Sequence, residues 1–337
     1  MENININLLA YRVGGLLYMS ALLAGISEKI RQGLISCLSS IALCLEDTVQ
    51  DGAAEQAEAT LFDTLRVLAE GPAPKEGLPL IFIRPRTPEQ MERIHNGLGD
   101  RQRLITGYIF PKFDLSSAED WLKMHEKLAK DSPSPLYFMP ILESRMVADA
   151  LTRVDTLTKL RSILDDVRPY VLNVRVGGND FSNLYGLRRN VDQTIYDLCV
   201  IRDILMDILN IFGQDYVVSG PVWNYYGVSE DEAWAKGLER ELALDRLNGF
   251  LGKTAIHPCQ LPIIRRSLSV SREDYDDACA ILNWSSDKSG VARSVAGNRM
   301  NELNCHGKWA RRTKILGDIY GIRSESDERE RGKMQAG

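Results

Sequence analysis

Eight short apolar runs, each closing on polar or charged residues and most followed by a longer amphipathic segment, constrain this chain more than any other feature. The runs fall at 15–22, 40–45, 78–83, 105–110, 136–142, 171–176, 216–218 and 254–256. Helical patterns follow at 27–35, 53–68, after Thr87, and at 117–130, 147–167, 196–212 and from Ser229 to about 248. Several of these helices carry start signals. Thr87, Pro88 and Gln90 read as cap, first residue and capping-box partner, and Ser116 with Glu119 and Ser229 with Glu232 repeat the box. Apolar runs separated by crossover helices build a parallel sheet with both faces covered. Eight such units in about 270 residues match the roughly 250 of a (β/α)8 barrel. An open doubly wound sheet has the same alternation. It would carry a Gly-rich phosphate fingerprint after its first strand, and none is present, which favours the TIM barrel.

Beyond 256 the rhythm stops. A capped helix is expected over 271–284, a polar loop over 285–297 and a broken helix over 299–320. The expected organisation is a barrel domain over 1–268, a C-terminal helical extension over 269–322 that packs on a neighbouring subunit, and a disordered charged tail over 323–337. A Pro/Gly-rich loop is expected over 71–77.

The 41 Lys and Arg against 46 Asp and Glu leave a net charge of −5, which argues against general nucleic-acid binding but leaves room for a local cationic pocket. Six cysteines form no C-x-x-C pair, so neither a zinc ribbon nor a dithiol redox site is indicated, and a reducing cytoplasm is the expected compartment. The most membrane-like stretch, 13–26, is too short to span and is interrupted by Gly14, Gly15, Ser20 and Gly25. It also lacks a basic leader and cleavage site, so no signal peptide is expected.

Function is expected where the runs end. In a barrel all strand ends of one sense share a face, and that face holds the active site. Glu46 and Asp47, Arg84 and Arg86, Lys112, Glu143, Asn179 and Asp180, and His257 all stand there. Charge at the end of a buried strand is costly unless paired or bound to metal. Glu143 and Asp180 end consecutive strands and can converge. Two carboxylates without a nearby histidine make a hard oxygen site suited to Mg²⁺. Each carboxylate alone could equally cap a helix or pair with an arginine. Arg84 can hold a carboxylate by paired hydrogen bonds, and Arg86 either does so or is a surface cation. Lys112 reads as a Schiff-base amine or as an electrostatic group, and a metal site favours the second. His257 is either a general base or a ring that orders the loop. Gly177-Gly178 can let a substrate approach the backbone.

In order along the chain these residues resemble the citrate lyase beta-subunit / HpcH-HpaI aldolase superfamily of metal-dependent carbon–carbon bond lyases. The most specific segment is Gly252-Lys253-Thr254-Ala255-Ile256-His257-Pro258-Cys259-Gln260, similar to the family's G-K-x-A-I-H-P-x-Q. Leu45-Glu46-Asp47, Ile83-Arg84, Pro111-Lys112 and Ile141-Leu142-Glu143-Ser144 resemble the family's L-E-D, strand-end Arg, P-K and I-E-T, and Asp180 falls at its second metal carboxylate. The resemblance implies Mg²⁺ on Glu143 and Asp180 and a 2-oxo or 3-hydroxy acid substrate, often a coenzyme A thioester. It also implies a homo-oligomer, trimer or hexamer, in which Glu302 of Met300-Asn301-Glu302 stands where the family donates an Asp to a neighbour's site. Departures are Cys44 for the family's Asp, and Gly14-Gly15 and Ser20 for its first-strand Arg-Ser and Pro. The stretch 297–310 resembles a bacterial subgroup found beside tellurium-resistance genes.

The expected activity is cleavage or formation of a C–C bond beside a carbonyl through a metal-stabilised enolate. Arg84, Glu46, Asp47 and Glu302 form the candidate catalytic set; Arg84, Lys112, Gly178 and His257 the substrate-binding set; Glu143 and Asp180 the metal ligands. Phosphoenolpyruvate-type mutase or phosphotransfer chemistry on the same site, and a non-catalytic metabolite-binding barrel, are the rivals.

Overall fold

The computed structural model describes residues 8–71, 77–285 and 289–323. The expected tail, from 324 onward, and most of the 71–77 loop lie outside them. Two compact units are present, Met1–Ile264 and Arg265–Gly337.

The first unit is a TIM barrel. Its strands are β1 (Gly15–Ser20), β2 (Ser40–Cys44), β3 (Leu80–Arg84), β4 (Gly107–Phe110), β5 (Tyr137–Leu142), β6 (Val174–Val176), β7 (Val218–Ser219) and β8 (Lys253–Ala255). Their order in the sheet is β7-β6-β5-β4-β3-β2-β1-β8, and every pairing between them is parallel. The register sets Cys44 opposite Arg84 and Ile141 opposite Arg175. Closure comes from an isolated bridge between Gly220 and Lys253, with Leu251 N–H donating to Val218 O at 2.8 Å. Leu16, Ala42, Phe82, Ile109, Met139, Ile141 and Leu172 fill the interior, and Ala10 and Val13 pack on them from the segment before β1. Leu80 and Tyr137, the first residues of β3 and β5, pack against the same cluster, and Ser40 Oγ, at the start of β2, donates to Val13 O at 2.6 Å. The chain thus plugs the strand-start end with its own N-terminal segment. The other end, where the polar residues stand, is left for chemistry.

Several elements differ from expectation. The helix foreseen over 147–167 is two, Arg145–Ala148 and Arg153–Asp166. Arg153 explains the break: its Nε and Nη2 donate to Val147 O and Ala148 O at 3.1 and 2.9 Å, capping the first helix with a side chain from the second. The Ser116–Glu119 box does not form. Asp114 organises that turn instead, its Oδ1 accepting the Ser116 N–H at 2.9 Å and hydroxyl at 2.6 Å, and the helix starts at Ala118. At Thr87 the cap is as expected, its Oγ1 accepting from Gln90 N–H at 3.2 Å. Gln90 turns its side chain to Arg86 N–H rather than back to Thr87. Helices Gly178–Leu184 and Gln260–Leu268 were not foreseen.

The second unit holds helices Arg272–Leu282 and Leu303–Tyr320, around Ala278, Ile281 and Ala310. Ser271 caps the first, accepting from Asp274 N–H at 3.0 Å. The expected polar loop contains β9 (Val291–Arg293), antiparallel to β10 (Met300–Glu302), which replaces the start of the expected last helix. Asp277, fully buried, ties this hairpin down by accepting from Val295 N–H at 2.8 Å and Arg299 Nε at 2.6 Å. No helix among the described residues is long and apolar enough to cross a membrane.

Candidate active site

The strand ends bring together most of the charged residues that sequence singled out. Arg84, the last residue of β3, is 6% exposed. Its Nη2 lies 2.6 Å from Glu46 Oε2, 2.8 Å from Asp47 Oδ2 and 3.5 Å from Glu143 Oε1. One guanidinium therefore collects three carboxylates from the ends of β2 and β5. Such a buried cation holds its proton more firmly than usual: burial opposes its charge, and Tyr18, Glu143 and Glu46 outweigh the burial. Asp47 is held below the usual carboxylate range, because Arg84 overcomes the opposing effect of burial.

Lys112 follows Pro111 with φ of 49°, a left-handed conformation uncommon outside glycine. The bend has a use. It aims the Lys112 backbone N–H at Glu143 Oε1, 2.8 Å away, while Nζ reaches Glu46 Oε1 at 2.7 Å. The amine is thus an electrostatic partner of Glu46 in this geometry.

Glu143 stands directly after β5, and Asp180 is in the first turn of helix Gly178–Leu184 after β6. Gly177 marks where they meet. A Cβ on Gly177 would lie 2.3 Å from Glu143 Cβ, 2.5 Å from Glu143 Oε2 and 3.0 Å from Asp180 Oδ2. The two carboxylates therefore crowd one point that only a glycine leaves open. Burial pushes Glu143 up to about 8, with Arg84 pulling the other way and Asp180 adding to the rise. Asp180 is also raised, by burial and by Asp47, against a hydrogen bond with Glu143. Both effects describe two acids too close to ionise together without a cation. Among the described residues no group of three or more His, Cys, Asp or Glu could hold a metal ion. A pair of oxygen donors with room left for water and substrate is the donor set Mg²⁺ favours, so these residues fit that ion.

Four expected participants are placed differently. Gly178 packs rather than opens: a Cβ there would lie 2.7 Å from the Pro221 Cβ. The His257 ring stacks on Tyr226 at 4.6 Å, and its Nδ1 accepts from Cys259 N–H at 3.3 Å with Cys259 Sγ at 3.0 Å, so it orders the loop after β8. Arg86 turns from the mouth to bind Leu45 O at 2.7 Å, Val49 O and Asp51. Glu302 belongs to the second unit, where its N–H donates to His306 Nδ1 at 3.0 Å.

Sequence reading assigned no role to two buried cations that lie on the barrel strands themselves. Arg175, in the middle of β6, is 2% exposed, and Lys253, the first residue of β8, is 0% exposed. Lys253 Nζ pairs with Glu241 at 2.8 Å and Asp245 at 2.6 Å, and Arg189 Nη2 lies 3.2 Å from Glu241. Tyr196 completes this network by donating to Asp245 Oδ1 at 2.6 Å. Arg175 interrupts an apolar run and Lys253 stands directly before one, signals that were present in the sequence.

Solved structures share this architecture. The CitE protein of Mycobacterium tuberculosis, in complex with magnesium, acetoacetate and coenzyme A, superposes with a TM-score of 0.58 at 18% identity, over 91% of this chain and 99% of that one. A citrate lyase from Burkholderia xenovorans LB400 gives a TM-score of 0.65 at 16% identity, over 93% and 94%. RipC from Yersinia pestis gives 0.51 at 15%, over 78% and 98%. At these identities the likeness is one of fold. No curated protein matches the chain in sequence. The sequence itself, over residues 7–322, matches the C-C bond lyases of the TIM-barrel fold, and the chain belongs to that family.

Proposed function

We propose that the protein is a Mg²⁺-dependent carbon–carbon lyase of the citrate lyase beta-subunit type, acting on a 2-oxo or 3-hydroxy acid. The observation that carries this reading is the convergence of Glu143 and Asp180 on the space at Gly177, beside a guanidinium. When bound there, the cation supplies Lewis acidity to a carbonyl and its neighbouring carboxylate. The chain's own residues do the rest. Arg84, desolvated and fixed by Glu46 and Asp47, offers a preorganised positive charge where negative charge develops on the enolate oxygen. Lys112 Nζ neutralises Glu46, and its backbone N–H orients Glu143. Glu302, from a neighbouring copy in a homo-oligomer, carries the proton. The magnesium, acetoacetate and coenzyme A in the mycobacterial relative support assaying both free acids and their coenzyme A thioesters.

Titration calorimetry tests the metal. Glu143→Ala and Asp180→Ala proteins stay folded and lose Mg²⁺ affinity by more than tenfold. Unchanged affinity in both sinks the proposal. Release of pyruvate rather than inorganic phosphate from candidate substrates separates the lyase from phosphotransfer chemistry.

A further inference from the structure

The site just described contains a second guanidinium that none of its carboxylates neutralises. Arg175 lies on β6, opposite Ile141 of β5 and Ser219 of β7. Its Nη2 donates to Thr254 Oγ1 on β8 at 2.6 Å. Its Nε and Nη1 are buried and have no hydrogen-bond partner. Among the described residues no Asp or Glu forms an ion pair with it. The charged and polar groups that act on it are Tyr18, which attracts it and makes a side-chain hydrogen bond to it, and Arg84, which repels it. Both guanidiniums lie against one ring: Arg84 Cζ is 5.8 Å and Arg175 Cζ 6.0 Å from the Tyr18 centroid.

This arrangement is expensive for a purely structural residue. A guanidinium cannot shed its charge by deprotonation, so burial cannot be relieved as it is at Glu143. Unpaired buried charges and unmade buried hydrogen bonds both count against folding. The other buried cations obey the rule: Arg84 has three carboxylates, Lys253 two, and Arg189 and Arg153 one each. Arg175 alone among these five lacks an anion. The donors it leaves free, the Nε–H on one edge of the guanidinium and Nη1 on the other, can each serve an oxygen of a carboxylate or phosphate.

We propose that Arg175, held by Thr254 and sharing Tyr18 with Arg84, is a second anion-binding centre in the barrel, which takes a negatively charged substrate group remote from the carbonyl. The substrate is then a small oxo or hydroxy acid with two anionic ends. One end lies at Glu143, Asp180 and Arg84, and the other, a carboxylate or phosphoryl group, lies on Arg175. This assignment of substrate class rests on the lyase reading above; the anion site itself does not.

Two arms keep those claims separate. The first uses inorganic phosphate in EDTA, so no metal takes part. Phosphate raises the melting temperature of the wild-type protein and shifts an arginine Nε–H resonance that is absent from Arg175→Met. The variant binds phosphate at least tenfold more weakly. Equal phosphate affinity in the two proteins overturns the site, as does an unmoved resonance, which would mark a buried water as the partner. Should Arg175→Met not fold, the resonance in the wild type decides alone, assigned by its loss in Arg175→Lys. The second arm adds Mg²⁺ and compares pyruvate, oxaloacetate and phosphonopyruvate. Arg175→Met keeps wild-type Mg²⁺ affinity and pyruvate binding but loses at least tenfold on whichever diacid Arg175 serves, which separates a carboxylate from a phosphoryl partner. An equal loss on all three acids overturns the substrate class. Absence of Mg²⁺ binding in the wild type overturns the lyase reading and leaves the phosphate result standing.

Discussion

At the scale of single residues, the site depends on an atom that is missing. Glu143 and Asp180 approach each other because Gly177 carries no side chain between them. Its backbone is not in a left-handed conformation, so the demand is for space and not for φ. Gly177→Ala should therefore fold but displace Glu143 or Asp180. We expect Mg²⁺ affinity to fall at least tenfold and the melting temperature to fall with it, because the new Cβ meets Glu143 Cβ at 2.3 Å before it meets either carboxylate. Retained affinity by calorimetry would show that the carboxylates have another place to meet. Lys112 makes the complementary point. Its left-handed φ turns a backbone donor onto Glu143, a role that a reading of side-chain chemistry alone does not reveal.

At the scale of elements, two histidines inside helices Pro88–Leu98 and Ala118–Asp131 tie those helices to the sheet. His95 Nδ1 lies 3.1 Å from the Tyr108 hydroxyl of β4, and His125 Nε2 lies 2.7 Å from Leu136 O just before β5. Burial lowers the pKa of both, so both are neutral in the fold. An unfolded chain protonates its histidines near pH 6.5, before the folded chain does. The stability they contribute is fully present above roughly pH 6.5 and is lost as pH falls through their depressed folded values. Glu143 works in the opposite sense, because its raised value lets the folded chain take a proton first as pH falls through about 8. Comparing wild type with His125→Gln isolates the histidine. Urea midpoints measured from pH 7.5 to 5 should fall more steeply in the wild type. Parallel curves would mean that His125 is not neutral in the folded protein.

At the scale of the whole molecule, the barrel is least supported where it closes. β7 has two residues and meets β8 through a single bridge, Gly220 to Lys253. The buried network of Lys253, Glu241, Asp245, Arg189 and Tyr196 lies against that seam, since a Cβ on Gly220 would lie 2.8 Å from Asp245 Oδ2. Removing one partner of such a network strands the others. Lys253→Met should cost about 3–5 kcal/mol in chemical denaturation. Hydrogen exchange should quicken at β7 and β8 before β2 and β3. A loss below about 1 kcal/mol would mean that the seam is held by packing alone.

The sequence determined the alternation, and with it the barrel, because burial on both faces demands uninterrupted apolar strands and each parallel crossover demands a helix. It also determined which residues stand at the strand ends, since charge cannot extend far into a packed core without a partner. Arg84, Glu46, Asp47, Lys112, Glu143 and Asp180 were legible for that reason. The tertiary structure decided what those residues do to one another. Nothing local marks Gly177 over Gly178 as the glycine that lies against the two carboxylates, or turns His257 onto Tyr226 and Arg86 onto Leu45. Arg175 is the sharpest case. Its place in an apolar run was visible, but an unmet charge is a property of everything around it, and those neighbours come from β1, β3 and β8, far away along the chain.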